Sequence, residues 1–107
     1  MGYRFRLHNK SLPGTPDLVF SGRKAAIFVH GCFWHRNEGC RLASNPQTRT
    51  DYWEPKFART VARDARARDE LSKIGWRSMV IWECQLRDLE LVGEQIKSFL
   101  EFDPARL

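Results

Sequence analysis

The chain has 107 residues, 42% of them hydrophobic and 29% charged, which suits one soluble domain with one core. No apolar run is long enough to span a membrane, and the N-terminus MGYRFRLHNK lacks the apolar segment of a secretory signal, so the cytoplasm is the expected location. The formal net charge of +5 fits an anionic partner such as nucleic acid and fits equally an ordinary basic surface.

In chain order, YRFRLHN (residues 3 to 9) alternates Tyr3, Phe5 and Leu7 with Arg4, Arg6 and His8, the pattern of a half-buried strand. SLPGTPD (11 to 17) is a turn built on Pro13, Gly14 and Pro16. DLVF (17 to 20) is a short strand, and SGRK turns it back into AAIFVH (25 to 30), an apolar strand expected to be covered on both faces. RLASNPQTRTD (41 to 51) is a polar loop. A helix is expected from near Glu54 and Pro55, with proline in its first turn, as far as Gly75. Phe57, Val61, Leu71 and Ile74 lie near one stripe of it, and Arg59, Arg63, Arg66 and Arg68 on its other faces. WRSMVIWEC (76 to 84) is a third core strand, ending in Cys84. LRDLELVGEQIKSFLEF (86 to 102) is an amphipathic helix with Leu89, Val92, Ile96 and Phe99 at helical spacing. The order β-β-β-α-β-α predicts an α/β fold over residues 1–107, a mixed β-sheet flanked by helices.

Chemistry concentrates in FVHGCFWHRNEGC (28 to 40). Asp17, opening a strand, can serve a hard cation such as Mg²⁺ or bond its own turn. His30 and His35 flank GCFW; each is a candidate general base or acid, or a histidine at the edge of the core. Three cysteines at irregular spacing make a poor disulfide framework. Cys32 and Cys40 border one loop and Cys84 ends another segment, so they are either ligands of a structural Zn²⁺ or buried free thiols. Phe33, Trp34 and Trp53 can wedge between bases or pack in the core. Trp76 and Trp82 are assigned to the core. Asp64 can orient His35 or pair with Arg68 at i+4.

SLPGTPDLVF, FVHGCFWH, TRTDYW and VIWEC together, in this order and spacing, resemble the very-short-patch-repair (Vsr) DNA mismatch endonucleases over nearly the whole chain. The resemblance implies a restriction-endonuclease-like fold that nicks double-stranded DNA beside the thymine of a T·G mismatch. It implies a monomer, with mismatch-repair proteins as partners. Asp17 and the backbone carbonyl of Val29 then match the Mg²⁺ contacts. His35 matches the residue that activates water, Asp64 its partner, and His30 the second active-site histidine. Phe33, Trp34 and Trp53 match aromatics that enter the duplex, and Cys32, Cys40 and Cys84 match three ligands of a structural zinc. Two departures follow. Asn37 stands where the family carries a histidine as fourth zinc ligand, so zinc is expected to be weakly held or absent. The family's N-terminal helical segment, with its acidic residue, is expected to be missing. A non-catalytic DNA-binding module is therefore the competing reading. A zinc-centred adaptor leaves Asp17 and both histidines without a role.

Overall fold

The computed structural model describes residues 4–37 and 39–102. Four strands, β1 (Arg6–Leu7), β2 (Leu18–Phe20), β3 (Ala25–His30) and β4 (Arg77–Trp82), form one sheet in the order β1-β2-β3-β4. The first two pairings are antiparallel and β3–β4 is parallel, so the expected mixed α/β sheet is present. Helix α1 (Thr50–Lys73) makes the crossover between β3 and β4, and α2 (Leu89–Glu101) closes the chain. Among the described residues no helix is long and apolar enough to cross a membrane.

Residues of opposite parity on β3 point to opposite faces of the sheet. Ala25 and Ile27 join Phe20, Ile81, Val92 and Leu100 in a core under α2. Ala26 and Phe28 join Ala67 and Leu71 in a core under α1, with Leu12, Trp76 and Val80 against it. This two-faced burial is why AAIFVH is apolar almost throughout.

Several boundaries differ from the sequence expectation, each for a tertiary reason. The strand expected over residues 3 to 9 is only Arg6–Leu7, and its apolar residues are not half-buried: Leu7 is 61% exposed. Neither core cluster includes a residue of β1 at the sheet edge, and the contact of Phe5 with Phe20, ring centroids 6.0 Å apart, still leaves Phe5 54% exposed; Tyr3 lies outside the described residues. Helix α1 begins at Thr50, leaving Pro55 inside it rather than in its first turn. Proline removes one hydrogen bond there, and the extra turn instead packs Trp53 against Phe57 and Phe33. The buried stripe of α1 runs through Phe57, Ala67 and Leu71, while Val61 and Ile74 on its margins are 46% and 52% exposed. At its other end the helix stops as expected. Gly75 has φ +82°, and the Gly75 and Trp76 N–H groups cap the Ser72 and Leu71 carbonyls at 3.0 and 2.9 Å.

Cys84 does not end β4 but lies in the 3-10 turn Glu83–Arg87 that follows. Helix α2 starts at Leu89 rather than 86, because Asp88 accepts the Leu91 N–H at 3.0 Å and caps it. Leu89, in that first turn, is exposed.

The turn before β2 is tied to α1 by close approach. Gly14 has φ +77°, and a Cβ placed there would lie 2.6 Å from the Cβ of Ala67. Gly14→Ala combines a left-handed backbone with overpacking, so it is expected to cost about 2 kcal/mol or more. Urea unfolding, read as a lower midpoint at unchanged slope, checks this.

Candidate active site

His30 follows Ala26 and Phe28 by period two and therefore faces α1. Parallel register sets it opposite Trp82, whose ring meets the imidazole edge-on at 5.3 Å. Trp82 is thus a wall of the site, not the core residue expected. Beyond the strand, the chain closes one helical turn. His35 N–H bonds the Gly31 carbonyl and Asn37 N–H the Cys32 carbonyl, both at 3.1 Å, around Arg36 with φ 55°. The left-handed residue of this turn is Arg36 rather than Gly31; a non-glycine there costs about 1 kcal/mol. The turn folds His35 back over His30.

The two imidazoles stack with centroids 3.9 Å apart and planes 9° from parallel. Asp64 lies on the inward stripe of α1, between Phe57 and Leu71. Its Oδ2 is 2.6 Å from His35 Nδ1 and 3.9 Å from His30 Nδ1. The carboxylate therefore engages the histidines, the first of the two alternatives open for it, rather than Arg68. Because a carboxylate accepts, His35 Nδ1 is the donor in this contact, which leaves Nε2 as the ring nitrogen available for exchange of a proton. Burial is the first cause holding the His30 pKa below the ordinary value; neighbouring His35 and Arg68 add to this, while Asp64 and Asp17 oppose it. The surroundings thus favour the neutral form of His30.

The ligand atoms of His30, His35 and Asp64 lie within 4.8 Å of one another, close enough for one metal. The stacking argues against it. Imidazole lone pairs lie in the ring planes, and an ion between two nearly parallel rings lies in neither plane. Proton transfer suits the arrangement better. A cavity of about 310 Å³ opens here, walled by the three residues with Arg36, Arg68 and Trp82.

Asp17 sits just before β2. Its Oδ2 accepts the Val29 N–H at 2.7 Å, a bond across to β3, and Oδ1 lies 3.6 Å from His8 Nδ1. One oxygen is thereby fixed by a backbone hydrogen bond and the other lies beside His8. The Asp17 carboxylate is a hard oxygen donor, the type of group that suits Mg²⁺.

Cys32, Cys40 and Cys84 converge, with their Sγ atoms within 4.8 Å of one another, and can hold a metal such as zinc. Cys32 and Cys84 each lie two residues past the His30–Trp82 pair of β3 and β4. Burial raises the Cys32 pKa, but hydrogen bonds from Asn37 and Cys84 outweigh it and hold the thiol below its ordinary value. Cys84 is pushed up to about 11, first by burial, then by its bonds with Cys32 and Cys40. Asn37 occupies the fourth corner, with Nδ2 3.6 Å from the sulfurs of both Cys32 and Cys84. An N–H group in that orientation donates to sulfur and cannot ligate a metal, so three donors fit zinc and the fourth does not.

Phe33, Trp34 and Trp53 come together with Phe57 in one aromatic cluster, most ring pairs meeting edge-on. Phe57 is its buried floor, and Trp34 is 47% exposed. The cluster is a surface platform, not part of either core. Beside Trp34, a shallow groove is lined by Lys56, Arg59 and Arg63 of α1.

Sequence reasoning passed over Arg36, Arg68 and Trp82 as site residues, and over Glu83, whose Oε1 accepts the Cys32 N–H at 3.0 Å. The strand register could have found Trp82, being opposite His30. Helical spacing could have found Arg68, one turn from Asp64.

A histidine–carboxylate acid–base pair, walled by arginines and set beside exposed aromatics and cations, defines an enzyme site suited to a nucleic-acid phosphodiester. Residues 1–41 match the family model described as DNA mismatch endonuclease Vsr. The chain is 50% identical over 101 residues to the type II nicking enzyme V.XorIIP of Xanthomonas oryzae pv. oryzae, covering 94% of this chain and 74% of that one. It is 44% identical to the DNA mismatch endonuclease Vsr of Escherichia coli, covering 94% of this chain and 64% of that one. It is 37% identical to the type II nicking enzyme V.NmeAIP of Neisseria meningitidis, covering 89% of this chain and 67% of that one. The chain belongs to the Vsr family of DNA mismatch and nicking endonucleases.

Proposed function

We propose that this chain is one restriction-endonuclease-like domain that acts as a monomer in DNA repair. It nicks one strand of a duplex beside the thymine of a T·G mismatch, by Mg²⁺-dependent hydrolysis. The observation that carries the reading is the 2.6 Å His35–Asp64 contact, with the His35 ring stacked on that of His30. Asp64 orients His35, whose Nε2 takes a proton from water as the water oxygen bonds to phosphorus. The bond from phosphorus to one bridging oxygen breaks, and that oxygen leaves with the electron pair and acquires a proton. His30 backs His35 and donates a hydrogen bond to developing charge, and Arg68 faces the phosphate. Asp17 and the Val29 carbonyl would hold Mg²⁺, which when bound neutralises charge on the phosphate and the leaving oxygen.

The test is a nicking assay on T·G and matched duplexes, with and without Mg²⁺. Mismatch-dependent, Mg²⁺-dependent nicking is expected. Mismatch-selective binding without nicking overturns the hydrolytic reading in favour of a binding module. Asp17→Ala is expected to lower nicking at least about 100-fold while thermal unfolding stays near wild type. Wild-type rates in that variant would remove Asp17 from the metal site.

Phe33, Trp34 and Trp53 are proposed to enter the duplex, with Lys56, Arg59 and Arg63 meeting phosphates. Affinity should then fall steeply with salt, because neutralised phosphates release counterions. Trp34→Ala should lose about tenfold in affinity for mismatched DNA and much less for matched DNA. Equal losses in paired binding titrations would assign Trp34 to packing alone.

A further inference from the structure

Arg36, between His35 and Asn37, is bonded to several segments at once. Its guanidinium donates to the carbonyls of Phe33 at 3.1 Å, Ala43 at 3.0 Å and Ser44 at 3.2 Å, and to Asn45 Oδ1 at 2.7 Å. Its centre lies 4.1 Å from the Phe57 ring centroid and 5.6 Å from that of Phe33. One side chain thus joins three segments: the turn carrying Phe33, Trp34 and His35, the loop over residues 43–45, and α1, which carries Trp53 and Phe57. Among the described residues every acceptor is neutral and no carboxylate pairs with the guanidinium. The planar fork meets several acceptors at once, which an ammonium on a flexible stem does not reproduce. The stacking on Phe57 adds a cation–π contact at the floor of the platform.

We propose that Arg36 is the positioning residue of the aromatic platform, and that it sets the pose of Phe33, Trp34 and Trp53 without help from a metal on the thiols. The second half follows from placement. Cys40 and the residues that Arg36 grips belong to the same loop, so the loop has two fastenings. The one through the thiols has no fourth ligand among the described residues, Asn37 donating to sulfur instead. The inference rests on the platform entering mismatched DNA.

Two variants separate the backbone from the side chain. Arg36→Gly keeps the left-handed turn, which glycine adopts without strain, and removes the guanidinium. Arg36→Lys keeps the charge and loses the fork. The measurement is the ratio of affinities for T·G and matched duplexes, together with tryptophan emission and its quenching by acrylamide. Expected results are a loss of about tenfold in the ratio for both variants and more accessible tryptophans. Wild-type protein dialysed against a chelator should keep its ratio.

A wild-type ratio in Arg36→Gly, with Trp34→Ala still losing its own, overturns the inference and spares the platform. A wild-type ratio in Trp34→Ala overturns the platform itself. If Arg36→Gly fails to fold, Arg36→Lys decides: a wild-type ratio there means that charge suffices and positioning by the fork is wrong. Loss of preference on chelation alone would show that the metal sets the pose.

Discussion

Replacing His35 by alanine is expected to lower strand nicking about 10²- to 10⁴-fold, the range for loss of a positioned general base. Asp64→Asn should fall within the same range. Asparagine fits the same space but carries no charge to stabilise the imidazolium that forms when His35 takes the proton. It can also donate to Nδ1, which would turn the proton of the ring to the wrong nitrogen. The double variant is the decisive construction, since residues acting as one unit lose activity only once. Single-turnover nicking by His35→Ala, Asp64→Asn and the pair should give a double variant no worse than the weaker single one. Multiplicative losses would mean that Asp64 acts elsewhere than through His35, despite the 2.6 Å contact.

Asn37→His is expected to have the largest effect on the thiol cluster. The Asn37 amide nitrogen already stands 3.6 Å from two of the three sulfurs, so an imidazole replaces a donor group with a ligand at nearly the right place. Wild type should hold zinc substoichiometrically or lose it to a chelator, because three thiolates bind it and Asn37 offers no fourth ligand among the described residues. The variant should retain it. Each tenfold gain in affinity adds about 1.4 kcal/mol to the stability of the zinc-loaded protein, which for a chain of this size raises the melting temperature by several degrees. Metal analysis and thermal unfolding, before and after dialysis against a chelator, report both quantities. Tight zinc in wild type, unchanged by the substitution, would place the fourth ligand elsewhere. No zinc in either protein, with all three thiols reactive, would return the cysteines to ordinary thiols.

What the residues reveal unaided depends on whether their partners are local. The hairpin of β2 and β3, the apolar β3 and the end of α1 at Gly75 are written in neighbouring residues and are found where expected. The start of α1 is not, because the aromatic contacts of Trp53 outweigh the propensity of Pro55 to begin a helix. Alternation in YRFRLHN promises a buried face, but burial needs a neighbouring layer, and the contact of Phe5 with Phe20 leaves Phe5 and Leu7 mostly exposed. The clustering of HGCFWH announces a site, and its motif resemblance supplies roles that spacing alone cannot. The stacking of His30 on His35 and the approach of Asp64 depend on how the turn folds back and how α1 crosses the sheet. Arg36 is the extreme case. Most of its partners are backbone carbonyls, which every residue has, so nothing in the sequence marks them.

The register of β3 against β4 also governs the order in which the molecule can be assembled. The two strands are parallel and separated in the chain by the whole of α1, so their pairing closes a long loop, the kind of contact that slows folding. Cys32 and Cys84 are two steps beyond the paired ends His30 and Trp82, and a slip of one residue would turn side chains to the wrong face. The native arrangement of three thiols therefore cannot arise before the strands have found their correct partners. Protection of the buried Cys32 thiol from alkylation during refolding would serve as a clock for completion of the sheet, while helical signal from α1, built of local contacts, develops ahead of it.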